Sequence, residues 1–242
     1  MIEVKELSKK FKEVEAVKGI SFEVKKGEVF GLLGENGAGK TTTLRMLATM
    51  LKPTRGTALI NGVDLLQAQK EIRRRIGILF GGETGLYDRL TARENIEYFG
   101  LLNGMTKEQI SNRIQELSEI LNMQEYIDRR AGKLSKGMKQ KVALARSIVH
   151  DPEIMLFDEP TSGLDVTAIR IVHKFIKRLK NQGKTIVFSS HSMAEVEKLC
   201  DTVGVIHKGE MVEVTNLEEL KRKYAGVELE EIFVKLVGDK NE

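Results

Sequence analysis

Short apolar runs alternate with stretches of helical periodicity along most of the chain. These runs are rich in β-branched or large apolar residues: VFGLL at 29–33, IGILF at 76–80, IMLF at 154–157, TIVFSS at 185–190 and VGVIH at 203–207. Strands that are covered on both faces have this composition, and their alternation with helices favours a largely parallel sheet. The pattern therefore predicts an α/β fold.

The segment between about 84 and 150 departs from this alternation and is helical in pattern throughout. Its apolar positions recur on one helix face: Ile110, Ile114, Leu117 and Leu121. Thr106 and Gln109 have the spacing of a capping box before that face. We therefore predict a helical insertion. A last helix is expected to start at Asn216, and the pattern assigns no definite structure to the polar tail from about Val227.

Composition and charge narrow the class of protein only a little. The chain has 242 residues, 39 basic and 35 acidic, with a net charge of +4 and a pI of about 9.0. Because the two signs are interspersed, a nucleic-acid partner is no better supported than a basic surface that faces a membrane or another protein. The single cysteine, Cys200, agrees with a reducing compartment and is expected in a helix core. The first residues, MIEVKELSKKF, alternate like a strand rather than a leader, so we expect a cytosolic location.

The stretch GENGAGKTTTL at 34–44 follows the first apolar run directly and precedes a helical pattern. It matches G-x-x-x-x-G-K-[ST], in which glycines turn backbone N–H groups toward one point and a helix N-terminus adds positive potential. Lys40 is expected to reach the β- and γ-phosphates, and the Thr41 hydroxyl to bind Mg²⁺. Such a loop is shared by kinases, GTPases, motor ATPases and transporters. The phosphate-binding residues predicted here are Gly34, Asn36, Gly37, Ala38, Gly39, Lys40, Thr41 and Thr42.

The run IMLFDEPTSGLD at 154–165 delivers two carboxylates to the C-terminal end of a predicted buried strand. Ligands bind at this edge in doubly wound sheets. We expect Asp158 to be the outer partner of Mg²⁺ and Glu159 to be the general base that activates water. Two adjacent acids are often only a solvated turn, but the phosphate loop elsewhere in the chain favours the catalytic interpretation.

Two further motifs carry polar groups that a nucleotide could use. In LSKGMKQK at 134–141, Ser135 is expected to cap a helix and Gly137 to allow close approach, which makes a second anion site. In FSSHSMAEVEKL at 188–199, His191 ends a strand, and Ser192 and Glu195 have capping-box spacing for the next helix. A capped helix start or a lone histidine is usually structural. The phosphate loop and FDEP favour a role for Ser135 and Gly137, and at this end of the sheet His191 could bond the γ-phosphate.

With these motifs assembled, the chain resembles the nucleotide-binding subunit of an ABC transporter over nearly its full length. The order of phosphate loop, LSKGM, FDEP, SGLD and histidine carries the resemblance. It implies that Ser135 and Gly137 contact the γ-phosphate of a partner subunit's nucleotide. It also implies that Glu159 is the catalytic base and that His191 senses the γ-phosphate. Asp165 would lie in the loop that links the two sites, and Phe11 would stack on adenine.

The resemblance also implies an architecture and a set of partners. The fold would be that of a P-loop NTPase, with a mainly parallel core sheet, an N-terminal antiparallel β subdomain and a helical insertion. Residues 1–83 and 151–215 would form the ATP-binding core, 84–150 the helical subdomain and 216–242 a C-terminal helical extension. ATP and Mg²⁺ would be the cofactors. The expected partners are an integral membrane permease and a second ATP-binding subunit, as a homodimer, with no nucleic acid. The expected location is cytoplasmic and peripheral, on the inner face of the membrane.

Within the family, IGILFGGETGLYDRLTARENIEYFG and LEEIFVKLVG are most like the ATP-binding subunits of bacterial type-two exporters, including one for sodium efflux. Nothing chemical in the chain selects sodium, because the permease chooses the cargo. Lys136 and Met138 stand where the usual signature has Gly and Gln. Gly82, beside Glu83, takes the place of the family's loop glutamine, and the nearby Leu86 and Tyr87 should face the permease.

Two other functions compete with a transport ATPase. One is a soluble ABC protein that acts on ribosomes or DNA, which the basic pI slightly favours. Such proteins generally carry two nucleotide domains or long coiled-coil inserts, and this chain has neither. The other is a regulatory nucleotide-binding module with negligible turnover, which Glu159 argues against.

Overall fold

The computed structural model describes residues 1–80, 85–224 and 227–238. Its strands are β1 (Ile2–Phe11), β2 (Val14–Val24), β3 (Val29–Leu33), β4 (Arg55–Ile60), β5 (Val63–Asp64), β6 (Ile76–Leu79), β7 (Ile154–Asp158), β8 (Thr185–Ser190), β9 (Thr202–His207) and β10 (Glu210–Asn216). Its α-helices are α1 (Lys40–Leu47), α2 (Gln69–Arg75), α3 (Ala92–Leu102), α4 (Lys107–Ile120), α5 (Lys136–Ile148), α6 (Val166–Asn181), α7 (Met193–Leu199), α8 (Leu217–Lys223) and α9 (Leu229–Gly238).

Two sheets organise the described residues. The core sheet has the order β10-β9-β3-β8-β7-β6, and every neighbouring pair in it is parallel except β9 with β10. The smaller sheet, β2-β1-β4-β5, is antiparallel and includes the N-terminal strand. This arrangement confirms the predicted fold class. Strands β3, β7 and β8 are buried at every residue, which explains why they are continuous apolar runs in the sequence.

The helical insertion packs α3, α4 and α5 around a core that continues into the main sheet. The capping box at Thr106 and Gln109 is present, with both reciprocal hydrogen bonds formed. Gly100 on α3 lets α4 approach closely, since a Cβ at that position would lie 2.6 Å from a side-chain carbon of Ile110. None of the helices in the described residues is both long enough and apolar enough to cross a bilayer.

Two helices, α8 and α9, form the described part of the C-terminal region. Asn216 caps α8 through its side chain, as expected for a helix that starts there. The segment from Val227, to which the local pattern assigned no definite structure, contains α9 (Leu229–Gly238), a helix within the extension that the family resemblance implied. Its buried side chains are Leu229, Ile232, Phe233 and Val237. They lie on one helix face and belong to the same apolar cluster as Val196 of α7, so burial of that face against the fold stabilises this short helix.

Cys200 lies just after the end of α7 rather than inside a helix. Its sulfur packs close to the main-chain atoms of Gly31, where an added Cβ would lie only 2.5 Å away. Burial raises the pKa of the thiol well above its usual range, so it stays protonated and weakly nucleophilic at neutral pH. The residue expected in a helix core is therefore a partly buried C-cap residue that packs against the core.

Candidate functional site

The phosphate loop connects β3 to α1 through backbone conformations that favour glycine. Gly37 and Gly39 have φ values of 82° and 111°. Gly34 passes so close to β9 that a Cβ there would lie 2.3 Å from the carbonyl oxygen of Ile206. The loop is therefore held against the sheet while its glycines turn the chain into α1.

The other loop residues predicted to bind phosphate lie along the same turn. Asn36 is exposed, Ala38 is buried and donates its backbone N–H to the carbonyl oxygen of Glu35 at 3.2 Å, and Thr42 is half-buried in the first turn of α1. All three residues lie on the same turn as Gly37, Gly39 and Lys40. The backbone thus brings the predicted phosphate-binding set together at one helix start.

Lys40 is only 4% exposed and folds back over the loop. Its ammonium donates to the carbonyl oxygens of Gly34 at 2.6 Å and Glu35 at 2.9 Å. The Oε1 atom of Glu159 lies 3.7 Å from the same nitrogen. Burial lowers the pKa of Lys40, although Glu159 and Asp158 act in the opposite direction. The loop, the lysine and the predicted general base are therefore in direct contact.

Asp158 and Thr41 form a buried oxygen cluster at the end of β7. The Thr41 hydroxyl donates to the two carboxylate oxygens of Asp158 at 2.8 and 3.1 Å, and the Ser189 hydroxyl donates to Oδ1 at 2.6 Å. Ser189 is the parallel cross-strand partner of Asp158 on β8, which explains the contact. Hydroxyl and carboxylate oxygens are the ligands that Mg²⁺ prefers, so the residues present fit that ion.

Glu159 follows β7 directly and has an unusual backbone conformation, with φ at 45°. Its backbone N–H donates to Ser189 Oγ at 3.0 Å, and its Oε1 lies 3.2 Å from Nδ1 of His191. His191 in turn follows β8 directly. A non-glycine residue in the left-handed region is strained, and such strain persists only where the surroundings hold it. The ends of β7 and β8 thus place the two predicted catalytic side chains side by side.

Ser135 and Gly137 lie at the start of α5. Ser135 is the N-cap, and its side chain accepts a hydrogen bond from the backbone N–H of Met138 at 3.3 Å. A Cβ on Gly137 would lie 3.9 Å from Oδ2 of Asp165, the residue that caps α6. The Lys136 side chain lies against Gly163 in the loop before α6. Among the described residues, the hydrogen bonds of Ser135 stay within its own helix, whereas its neighbours Lys136 and Gly137 contact the SGLD loop.

Phe11 stands at the tip of the β1–β2 hairpin, paired with Val14. It is 44% exposed, and the Lys9 ammonium lies 5.1 Å from its ring centroid. Strand β2 passes the phosphate loop so closely that a Cβ on Gly39 would lie 2.6 Å from the carbonyl oxygen of Ala16. An exposed aromatic ring is therefore carried on the hairpin that borders the loop.

The prediction of a capping box at Ser192 and Glu195 is wrong. Ser192 is the N-cap of α7 by position, but its side chain makes no capping hydrogen bond. Glu195 instead bonds Thr161, His173 and Ser190, away from the helix start. Local spacing could not reveal this, because the partners come from three other elements and bind the carboxylate more favourably than a backbone N–H does. Local spacing therefore gave no signal of this partly buried carboxylate beside the site.

Gly82 and Glu83, which replace the family's loop glutamine, lie outside the described residues. Nearby, Tyr87 is exposed and makes an edge contact with Tyr98, with ring centroids 5.5 Å apart. Leu86 is partly buried against the core of the helical segment. Of the two residues predicted to face a permease, Tyr87 is thus the more accessible.

A family model described as ABC transporter matches residues 17–162, and the chain therefore belongs to the ABC transporter family as one of its ATP-binding subunits, which are ATPases. It is 50% identical over 238 residues to the ABC transporter ATP-binding protein NatA of Bacillus subtilis (strain 168), with 97% of each chain covered. It is 40% identical over 224 residues to the bacitracin transport ATP-binding protein BcrA of Bacillus licheniformis, covering 92% of this chain and 72% of the relative.

Solved structures agree with this assignment. An ATP-binding subunit of an ABC transporter has a TM-score of 0.89 and 29% identity, and the match covers 98% of this chain and 99% of the other. A dimeric post-hydrolysis state of the ATP-binding cassette MJ0796, bound to ADP and Pi, has a TM-score of 0.83 and 28% identity, with 90% and 99% of the two chains covered.

Proposed function

We propose that the chain binds ATP with Mg²⁺ at this sheet edge and hydrolyses it in a head-to-tail dimer, which drives export through a membrane permease. The observation that carries the proposal is the contact between Lys40 of the phosphate loop and Glu159, the residue paired with His191. Lys40, which would bind phosphate, and Glu159, which would activate water, are therefore in direct contact.

ATP binding would begin with the loop and the aromatic hairpin. The backbone N–H groups at the start of α1 would hold the β- and γ-phosphates, and Lys40 would exchange its carbonyl partners for phosphate oxygens. Phe11 would stack on the adenine ring. These contacts come from the two edges of one surface, because β2 borders the loop that precedes α1.

Thr41 would bind Mg²⁺ directly through its hydroxyl, and Asp158 would hold the ion's outer ligands. Mg²⁺ in such a site neutralises charge that develops on the phosphate oxygens. Ser189 would keep the Asp158 carboxylate oriented, since it already donates to Oδ1 at 2.6 Å.

Hydrolysis would use Glu159 and His191. Glu159 accepts a proton from a water molecule whose oxygen forms a bond to the γ-phosphorus, while the bond from that phosphorus to the β–γ bridging oxygen breaks. ADP and inorganic phosphate leave. His191 would hold the Glu159 carboxylate by the contact at Oε1 and donate to a γ-phosphate oxygen.

A dimer would supply the second anion site. Ser135 and Gly137 would contact the γ-phosphate bound by the other subunit, with the SGLD loop, which includes Asp165, linking the two sites. The support is that, in the part of the chain that the structure describes, Ser135 bonds within α5 while its neighbour Lys136 lies on that loop. The dimeric structure of the MJ0796 cassette adds a precedent among relatives.

A permease would dock on the helical segment, at the inner face of the membrane. Exposed apolar side chains are available there, including Tyr87, Tyr98, Leu101 and Leu102. NatA and BcrA are transport proteins by their descriptions, which supports export over action on ribosomes or DNA. Sodium is one cargo consistent with the type-two exporter resemblance, and the permease would decide it.

Glu159→Gln tests the proposal. The amide preserves the shape of the side chain but cannot accept the proton, so ATP should stay bound, hydrolysis should stop and an ATP-dependent dimer should accumulate. Phosphate release measures turnover and light scattering measures mass. Lys40→Ala is the control that should neither bind ATP nor dimerise. Wild-type turnover by Glu159→Gln would contradict the assignment of the base.

A further inference from the structure

Behind the catalytic pair, the Glu195 carboxylate joins three elements of the fold. Its Oε1 accepts hydrogen bonds from the Thr161 hydroxyl and from Nε2 of His173 at 3.1 Å. Its Oε2 accepts from the Ser190 hydroxyl at 2.8 Å. We call Glu195, Thr161, His173 and Ser190 the Glu195 cluster. It lies along a cavity of about 420 Å³ that Glu159 and His191 also line.

The cluster is built as a charged group with matched donors. Burial alone would raise the pKa of Glu195, but the hydrogen bonds from His173, Thr161 and Ser190 outweigh burial and lower that pKa. The carboxylate is therefore ionised at neutral pH and accepts only. Nε2 of His173 must then carry a proton. A carboxylate withdrawn this far from solvent is costly unless its partners are all in place, so the cluster fixes their relative positions.

Two of the three partners are tied to the catalytic residues by short stretches of backbone. Thr161 comes two residues after Glu159, and Ser190 comes immediately before His191. Ser190 also accepts the backbone N–H of Ser192 at 2.9 Å, which holds the turn that follows β8. The Glu195 carboxylate thus clamps together the two loops whose side chains meet at 3.2 Å.

The third partner anchors the clamp to α6. His173 is only 6% exposed, and among the described residues its Nδ1 has no hydrogen-bond partner. The ring therefore donates its Nε2–H to Glu195, and packing holds the rest of the ring. Since α6 begins at the loop that carries Asp165, the cluster also connects the catalytic pair to that loop.

We infer that Glu195, held by His173, is a positioning residue for ATP hydrolysis. Through Thr161 it fixes Glu159, whose backbone is strained, and through Ser190 it fixes His191, in the geometry that activates water. The inference rests on the proposed function. A carboxylate that only stabilised the fold would affect stability and ATP binding together. A positioning carboxylate affects the chemical step, because the phosphate loop that binds ATP makes no hydrogen bond to it.

The test compares Glu195→Ala with Glu197→Gln, an exposed change on the same helix and away from the cluster. For Glu195→Ala we expect kcat to fall about tenfold or more, because small misplacements of catalytic groups slow the chemical step by such factors. The Kd of ATP should stay within about twofold, and Glu197→Gln should match the wild type in both. Thr161→Val should lower kcat in the same way, and Thr161→Ser, which restores the hydroxyl, should recover it.

A double-mutant cycle separates positioning from a general loss of structure. If Glu195 acts on the loop of Glu159 through Thr161, adding Glu195→Ala to Thr161→Val, which keeps measurable turnover, should lower kcat by less than the same change does in the wild type. Should Glu195→Ala misfold, the isosteric Thr161→Val and its serine rescue carry the same test. An unchanged kcat, or parallel losses of kcat, ATP affinity and thermal stability, would overturn the inference. A wild-type chain that binds ATP without hydrolysing it would instead remove the proposed function, and the inference with it.

Discussion

Lys40→Met should separate ATP affinity from stability. Methionine keeps an unbranched apolar stem but removes the ammonium, which is buried and bonded to the carbonyl oxygens of Gly34 and Glu35. In the apo protein the lost hydrogen bonds are offset by the removal of a desolvated charge, so the free energy of unfolding should change by no more than about 1 kcal/mol.

The effect on ATP should be much larger. Each hydrogen bond from a charged donor is worth about 1.5–3 kcal/mol, so the loss of two phosphate contacts costs ~3 kcal/mol or more and weakens binding by roughly 100-fold or more. At an ATP concentration of about 100 times the wild-type Kd, ligand stabilises the wild type by ~2.7 kcal/mol. The same concentration should stabilise the variant by only ~0.4 kcal/mol.

Two measurements check this reasoning. Chemical denaturation without nucleotide gives the apo free energy of unfolding, and calorimetric titration with ATP under non-hydrolysing conditions gives Kd. Lys52→Met, an exposed change outside the loop, is a control for the loss of one positive charge. An unchanged Kd would remove Lys40 from the phosphate site. A loss of several kcal/mol of apo stability would show that the buried ammonium holds the loop together instead.

Three further outcomes are expected. Phe11→Ala should weaken ATP binding by ~1–3 kcal/mol, the range for base stacking on an aromatic ring. Its Tm should change little because the ring is exposed. A lower Tm with unchanged ATP affinity would mean that the ring packs in the sheet. Lys40→Ala and Ser135→Arg should each be inactive alone. Mixing the two variants should restore some ATPase activity, because their heterodimer has one intact composite site. If a heterodimer confirmed by differential tagging has no activity, Ser135 does not act on the nucleotide of the other subunit. Burial lowers the pKa of His150 below its usual 6.5, so the unfolded chain takes up this proton first as the pH falls. Below about pH 6.5 the free energy of unfolding should therefore decline less steeply in His150→Asn than in the wild type. Equal slopes would refute a buried neutral imidazole.

Much of the site was predictable because its determinants are local. The glycine spacing that precedes Lys40 specifies a turn into a helix, and the apolar run that ends in Asp158 specifies a buried strand with carboxylates at its C-terminal end. Parallel strands bring their C-terminal ends to one edge of a sheet, so the order of motifs already predicts that Glu159 and His191 lie near the loop. Gly82 and Glu83, by contrast, stay a prediction.

The features that the sequence could not specify depend on partners far along the chain. Ser192 and Glu195 have the spacing of a capping box, yet the carboxylate turns to Thr161 and His173, because buried donors from packed elements outweigh a solvated helix start. The apolar face of α9 is visible in its local spacing, but the surface of α7 that covers this face, and so offsets the entropy of ordering the helix, is supplied by the tertiary packing. Local motifs thus predict which groups hold a nucleotide, whereas the packing of distant elements holds together the loops that carry those groups.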